Sequence, residues 1–373
     1  MRRIAALKML LHDRSTTAGS VSGVIAIIFL VGQQLAIFFG LLNYMSILVD
    51  YSGADIWVVT QKTDNINSAG TLPMRYIDRM IGLDGIEWAE PIIISAGLLK
   101  RANGNYQPVQ IAGMKRPRMA GGAWHFHQGS LASLLDAEGI SVDLLDFATL
   151  GDPEIGDVFE INKQRVRLKA ITLNVRGFGG IVVFTNMNKA RDIAEFPPDR
   201  CSSILVKVTD SKNIDGMKRQ LKQLFPNLDV ITTNELSRLT RLYYIQNTGI
   251  GGSFGFTTII GALVGVVIIA LTMYTNVLNK QKDYAVLRAL GARKRDVLVI
   301  VMYQSIFIAL MGIVAGFTLL ALFVLFTRDS NLPSYMPLWV PPIHAFFTLL
   351  LCMFGSLLAM QRAIKIDPAS AFR

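Results

Sequence analysis

Charge is absent from this sequence in four long stretches: Ser15 to Val49, Leu242 to Asn279, Val297 to Thr327 and Ser330 to Gln361 contain no Asp, Glu, Lys or Arg. Each exceeds the roughly 20 residues a helix needs to cross the hydrocarbon core. A backbone in lipid must satisfy its own hydrogen bonds, so continuous apolar runs of this length can span only as helices. Cysteine is scarce as well. Cys201 lies between the first two runs and Cys352 within the fourth, so the two are not expected to pair. There is no Gly-Lys dipeptide, which excludes a P-loop and therefore a nucleotide motor in this chain. Gly-x-Ser-x-Gly, His-Glu-x-x-His and Cys-x-x-Cys are also missing, and no catalytic constellation stands out. With His344 near an end of its run, the spans lack the ionisable groups that ion-coupled transport uses.

What remains is apolar overall. Of 373 residues 51% are hydrophobic and 17% charged, and the mean hydropathy is +0.41, against about a quarter charged for an ordinary soluble domain. The net charge of +10 sits almost wholly beside the ends of the spans. Arg2, Arg3, Lys8 and Arg14 precede the first span. Lys280, Lys282, Arg288, Arg293, Lys294 and Arg295 lie between the second and third, and Arg362, Lys365 and Arg373 follow the fourth. Only Asp13, Asp283, Asp296 and Asp367 oppose these thirteen cations, whereas residues 50–241 carry 23 Lys and Arg against 22 Asp and Glu. Four spans put the three basic segments on one side, and the positive-inside rule makes that side the cytoplasm. Both termini are then inside and residues 50–241 outside. So placed, the positive charge does not point to nucleic acid. The first apolar run is too long for a signal-peptide core and no small-x-small site ends it, so it is expected to stay as an anchor.

The expected class is therefore an integral α-helical membrane protein with four transmembrane helices and a large α+β extracytoplasmic domain between helices 1 and 2. Its segments are an amphipathic N-terminal helix (1–16), spans at 17–49, 242–279, 297–327 and 338–361, a domain at 50–241, a cytoplasmic loop at 280–296, a short outer loop at 328–337 and a tail at 362–373. The N-terminal segment sets Ile4, Leu7, Leu10 and Leu11 on one helical face, which suits a helix on the membrane surface or a plain basic topology signal. In the domain, strands are expected at Asp55–Thr60, Pro91–Leu99, Val109–Ala112, Ile181–Thr185, Ser203–Val208 and Leu228–Thr232. Asp157–Ile161 and Val166–Leu173 flank an Asn162–Lys163 turn and read as a hairpin. Helices are expected at Asn188–Glu195 and Asn213–Phe225, and from Asn234 as an N-cap. His125 and His127, two apart in Trp124-His-Phe-His127, would lie on one side of an extended strand, without Cys or an obvious third metal ligand nearby.

The loop after the second span reads Lys280-Gln-Lys-Asp-Tyr-Ala-Val-Leu-Arg-Ala-Leu-Gly-Ala-Arg-Lys-Arg-Asp296. Asp283–Leu290 suits a short helix stopped by Gly291. Tyr284, Leu287 and Leu290 form an apolar stripe flanked by Lys282, Arg288 and Arg293, which fits either docking on another protein or resting on anionic lipid. This run resembles the cytoplasmic signature of FtsX-like and MacB-like ABC permeases, where an acidic residue precedes an aliphatic-Leu-Arg-Ala-Leu-Gly-Ala core just before the third span. The basic N-terminal helix, the domain between spans one and two, the hairpin opening Ile155-Gly-Asp-Val-Phe159 and the C-terminal Asp367-Pro-Ala-Ser-Ala-Phe-Arg373 are similar too, with the DevC-type exporters as the subgroup. Asp283 stands where Glu is common, and Tyr284-Ala285 where Ile-Gly is common.

The resemblance implies a second copy of the permease and a dimer of a cytoplasmic ABC ATPase, which would hold ATP and Mg while this chain holds no cofactor. It implies mechanotransmission through the spans and, in MacB-like members, a periplasmic adaptor and an outer-membrane channel. It places the chain in a bacterial inner membrane with the domain in the periplasm. The ATPase-coupling residues it implies are Asp283, Tyr284, Leu287, Arg288 and Leu290. Gly251/Gly255 and Gly261/Gly265 are small-xxx-small pairs suited to close packing of the second span, within the chain or at a dimer seam. The expected function is export of a lipid, peptide or small molecule. The alternatives are a receptor, or a regulator of periplasmic partners in lipoprotein release or cell-wall hydrolase control. A receptor would need a cytoplasmic output domain, and only short cytoplasmic segments are expected here.

Overall fold

The computed structural model describes residues 2–68, 70–101, 103–177, 180–327, 330 and 332–363. Two compact units emerge, one built from Met1–Gly40 with Gly252–Arg373 and the other from Leu41–Gly251. The C-terminal motif from Asp367 to Arg373 lies outside the described residues.

The chain opens with α1 (Arg2–His12) and α2 (Arg14–Asp50). The break between them is capped by Asp13, whose Oδ1 accepts from Thr16 N–H at 3.3 Å. Hydrogen bonds from Thr16 hold that carboxyl below the usual carboxylate range. The expected face of α1 divides: Leu10 is buried, while Ile4, Leu7 and Leu11 stay exposed.

The unit that follows contains β1 (Ile56–Thr60), β2 (Leu72–Pro73), α3 (Tyr76–Ile81), β3 (Ile86–Lys100), β4 (Tyr106–Met114), β5 (Phe126–Gln128) and β6 (Gly139–Asp143). It continues through α4 (Phe147–Leu150), β7 (Val158–Ile161), β8 (Gln164–Thr172), β9 (Ile181–Asn186), α5 (Met187–Ala194) and β10 (Arg200–Cys201). It ends with β11 (Ser203–Val208), α6 (Ile214–Leu224), β12 (Leu228–Thr232) and α7 (Thr233–Asn247).

The organising element is β3. Its first half pairs with β11 in an antiparallel sheet ordered β12-β1-β11-β3. Its second half pairs with β4, and Leu99–Lys100 at its end pair with β7. Because β7 also pairs with β8, the strands β3-β4-β9-β6-β8-β7 close into a ring. Closure removes the free edges that an open sheet would leave. Two lobes thus share one fifteen-residue strand.

Strand periodicity explains the cores. Along β1, Ile56 and Val58 pack with Met80, Met217 and Leu221 of α3 and α6, whereas Trp57 and Val59 face the opposite cluster with Leu205 and Phe184. Both faces are covered, so β1 reads as an unbroken apolar run rather than an alternating one. Inside the ring, Leu99, Val109, Ile111, Val142, Leu168 and Val183 are fully buried or nearly so. Each such side chain contributes about 1.5–3 kcal/mol by leaving water. The Asn162–Lys163 turn between β7 and β8 has φ of +47° and +67°, the double left-handed geometry that matches strand twist. The cap of α7 is Thr232, not Asn234. Its hydroxyl accepts from Glu235 N–H while Glu235 reaches back to Thr232 N–H, a reciprocal capping box. The expected extended stretch around His125 is corrected by its φ of +47°, and both His125 and His127 are exposed. Among the described residues no group of three His, Cys, Asp or Glu side chains could hold a metal. Cys201 and Cys352 are both free.

The other unit holds α8 (Ile250–Asn279), α9 (Gln281–Ala289), α10 (Lys294–Thr327) and α11 (Val340–Ala363) with α1 and the first part of α2. Among the described residues four helices, α2, α8, α10 and α11, are long and apolar enough to cross a membrane. Their contacts rest on small residues. A Cβ at Gly312 would come within 2.5 Å of Val24, and one at Gly316 within 2.7 Å of Ile28, so α10 and α2 touch almost backbone to side chain. Of the anticipated glycine pairs, a Cβ at Gly265 would lie 3.3 Å from Ile27 and one at Gly261 3.9 Å from Val31. Nothing lies within 4 Å of a Cβ at Gly255, and Gly251 instead fits beside the Ile245 carbonyl, just after the turn at Gly249.

Candidate functional site

The loop between the second and third spans is the most individually shaped part of the membrane unit. α9 is preceded by Lys280 as N-cap, directly after α8, and is closed by Gly291 in the left-handed region just past its C-terminus. Ala292 N–H donates to Leu287 C=O at 3.0 Å, Gly291 N–H donates to Arg288 C=O at 3.1 Å, and Gly291 sits at φ +97°. These are the paired bonds of a Schellman turn, which only a residue without a Cβ adopts cheaply. Leu287 and Ala292, the residues such a turn brings together, pack against one cluster with Val297 and Met360.

The stripe expected from spacing is split by the structure. Tyr284 is a correction: it points inward, 4% exposed, and its hydroxyl donates to Gln304 Oε1 at 2.6 Å on α10. Burial pushes that phenol up. Gln304 in turn reaches Met9 Sδ of α1 at 3.6 Å. Leu287 is half-buried. Leu290, by contrast, is 81% exposed, Val286 is 46% exposed, and Asp283, Lys282, Arg293, Lys294 and Arg295 are exposed around them. Arg288 is partly covered. The helix is thus pinned on one side by a tyrosine and a turn, and presents two aliphatic residues with a cationic surround on the other.

Behind α9 lies a buried polar group that spacing alone did not reveal. Lys280 is 2% exposed, and its Nζ has no hydrogen-bond partner. Burial lowers its affinity for a proton, against the opposing pull of Asp13 and Asp283. One turn earlier Asn276 donates to Ser20 Oγ at 3.3 Å, tying the inner ends of α8 and α2. The signal for the Tyr284 partner was available, since Gln304 is the lone amide in the third charge-free run.

The model for the MacB-like periplasmic core domain matches residues 16–224, more than half of the chain. The model for the FtsX-like permease C-terminal region matches residues 255–368, which include α9. An uncharacterised ABC transporter permease of Mycobacterium tuberculosis is 24% identical over 333 residues, covering 87% of this chain and 86% of that protein. One from Methanocaldococcus jannaschii is 27% identical over 182 residues, covering 44% and 42%. The solved periplasmic region of MacB from Actinobacillus actinomycetemcomitans overlaps 50% of this chain and 93% of its own length, at 13% identity and a TM-score of 0.40. With these models matching residues 16–224 and 255–368, this chain belongs to the MacB/FtsX family of ABC transporter permeases.

Proposed function

We propose that this permease couples ATP hydrolysis in a separate cytoplasmic ATPase to movement of its inserted unit, and so drives export of a lipid, peptide or small molecule from the inner membrane or periplasm. In this reading the three basic segments face the cytoplasm and the inserted unit lies in the periplasm. Two copies of the chain engage an ATPase dimer, and a periplasmic adaptor with an outer-membrane channel completes the path outward.

The observation that carries the proposal is the two-sided α9. An aliphatic knob on a mobile tether would transmit little force. Here the Tyr284–Gln304 hydrogen bond and the packing of Leu287 and Ala292 with Val297 tie the helix to α10, so a push on Leu290 would reach the spans. The exposed Val286 and Leu290 fit an apolar groove on the partner, and the cations around them suit an acidic rim. Asp283, Leu287 and Arg288 border that face, while Tyr284 acts as its anchor. The test is a mild-detergent pull-down of the tagged chain from its native host, with Val286→Asp/Leu290→Asp beside it. Recovery of a P-loop ATPase by the parent and not by the variant supports the reading. Absence of any ATPase after gentle crosslinking sinks it and favours a regulator without ATP-driven export.

A further inference from the structure

We propose that the single helical turn Ile66–Ser68 is the joint that hands movement of α2 and α7 to the ring of strands, with Asn67 as its positioning residue. The inference rests on the force-transmitting reading above and adds the place where force leaves the helices. Three elements meet at Asn67. Its Nδ2 donates to the Met45 carbonyl of α2 and to the Tyr244 hydroxyl of α7, each at 3.2 Å. Its Oδ1 accepts from Gln110 Nε2 of β4 at 2.6 Å. The amide thus spends one donor on each helix and its acceptor on the ring. The turn that presents it is itself fixed, since Asn67 N–H donates to Asn65 Oδ1 at 3.0 Å and Ser68 N–H to the Asn65 carbonyl at 3.2 Å. Beside it Ile66 is fully buried in the cluster that holds Ile47 and Leu48 of α2 and Leu236 of α7. The Ile66 N–H donates to Thr240 Oγ1 of α7 at 3.4 Å.

Packing and the amide play different parts here. Burial of Ile66 is non-directional and tolerates one helix sliding along another. A hydrogen bond weakens steeply once its angle or length leaves the optimum, so three bonds from one planar group fix register as well as contact. Asp in this place would offer no donor, and Leu no polar atom. The two helices are also clamped to each other. Arg241 of α7 donates from Nε to Ser46 Oγ and from Nη2 to Asp50 Oδ2 of α2, both at 2.7 Å. They therefore form one lever. The receiving strand β4 pairs with β3 along Tyr106–Met114 and with β9 along Val109–Met114, so a displacement of Gln110 is shared around the ring. The stiff input is α2, which runs unbroken from Arg14 to Asp50, whereas Gly249 at φ +71° separates α7 from α8.

The experiment uses the full permease with its partner ATPase in lipid nanodiscs, carrying one spin label per chain. Gln246→Cys, exposed on α7, reports the lever, and Arg165→Cys, exposed on β8, reports the ring. The native Cys201 and Cys352 are buried and stay unlabelled. Pulsed dipolar spectroscopy reads the distance between the two copies before and after trapping with ATP and vanadate. In the parent both distances are expected to shift. Asn67→Ala should keep the Gln246 shift and the permease-dependent ATPase stimulation, and lose most of the Arg165 shift. Gln110→Leu, which cuts the ring side of the joint and leaves the helix pair intact, should do the same, and it decides the question where Asn67→Ala does not fold. An Arg165 shift that survives in these variants, with only a lower melting temperature, makes Asn67 structural and overturns the joint. Loss of both shifts in Gln110→Leu also overturns it, because the lever would then depend on the ring. A parent that hydrolyses ATP while neither label shifts overturns the force-transmitting reading and the joint together.

Discussion

The two units of this permease invert each other's rules. In the inserted unit apolar side chains go mostly inward, so Ile56, Trp57, Ile92 and Leu168 are fully buried. In the membrane unit apolar side chains go both ways. Val267, Leu271, Val314 and Phe354 are at least 60% exposed, while Ser20, Gln304, Ser305, Thr348 and Ser356 are buried. Water sorts the first unit by hydrophobicity. Lipid provides no such sorting, so the second is sorted by size and by hydrogen bonding.

The comparison can be broken at several points. The largest effect belongs to the water-sorted core. Phe184→Ala in β9 removes a fully buried ring from the core around Trp57, and should cost about 3–5 kcal/mol of that unit's stability. Urea unfolding monitored by Trp fluorescence measures it.

Next is the buried acid at the start of α4. Asp146 is 1% exposed, and Arg176 donates to its Oδ1 at 2.6 Å. Burial still pushes its carboxyl up from 3.8 to about 6, with Asp143 adding to the rise and Arg176 opposing it. A raised carboxyl favours the folded state while it stays protonated. Below about pH 4 both states hold the proton. Between pH 4 and 6 the unfolded chain ionises first, and above pH 6 the full cost is present, on the order of 2–3 kcal/mol. The melting temperature of the parent relative to Asp146→Asn should therefore fall as pH rises from 4 to 7. A difference that stays flat across that range would contradict the assignment.

In the lipid-sorted unit, size dominates. Gly312→Val drives a side chain into Val24 and should cost about 1–3 kcal/mol, read as a lower melting temperature in detergent. The smallest effect is the Ser305–Ser356 hydrogen bond between α10 and α11, for which Ser356→Ala should cost only about 0.6 kcal/mol.

The same contrast governs what could be read in advance. The spans follow from composition alone, because lipid demands length and apolarity and nothing else. Ser203–Val208 and Leu228–Thr232 coincide with their strands, since β-branched runs bounded by turns are local signals. The ring closed by β7 on β3 depends on pairings between residues sixty positions apart, which no local pattern encodes. β6 escaped notice because Gly139-Ile-Ser-Val-Asp143 is short, ends in polar residues and is buried throughout. At the candidate site, the helix and its Gly291 stop were legible from turn chemistry. Tyr284 was not, because a ring at helical spacing with Leu287 and Leu290 looks exposed until Gln304 is placed beside it.

The account rests most directly on α9 as the point where force enters the spans. The measurement is ATPase activity of the partner reconstituted in lipid with the parent chain, Leu290→Asp or Tyr284→Phe. The account predicts that Leu290→Asp abolishes permease-dependent stimulation, because the exposed face is lost. It predicts that Tyr284→Phe retains binding but weakens stimulation, because the helix is seated without its tie to Gln304. Full stimulation by Leu290→Asp, in a sample whose spans are intact by circular dichroism, would contradict it.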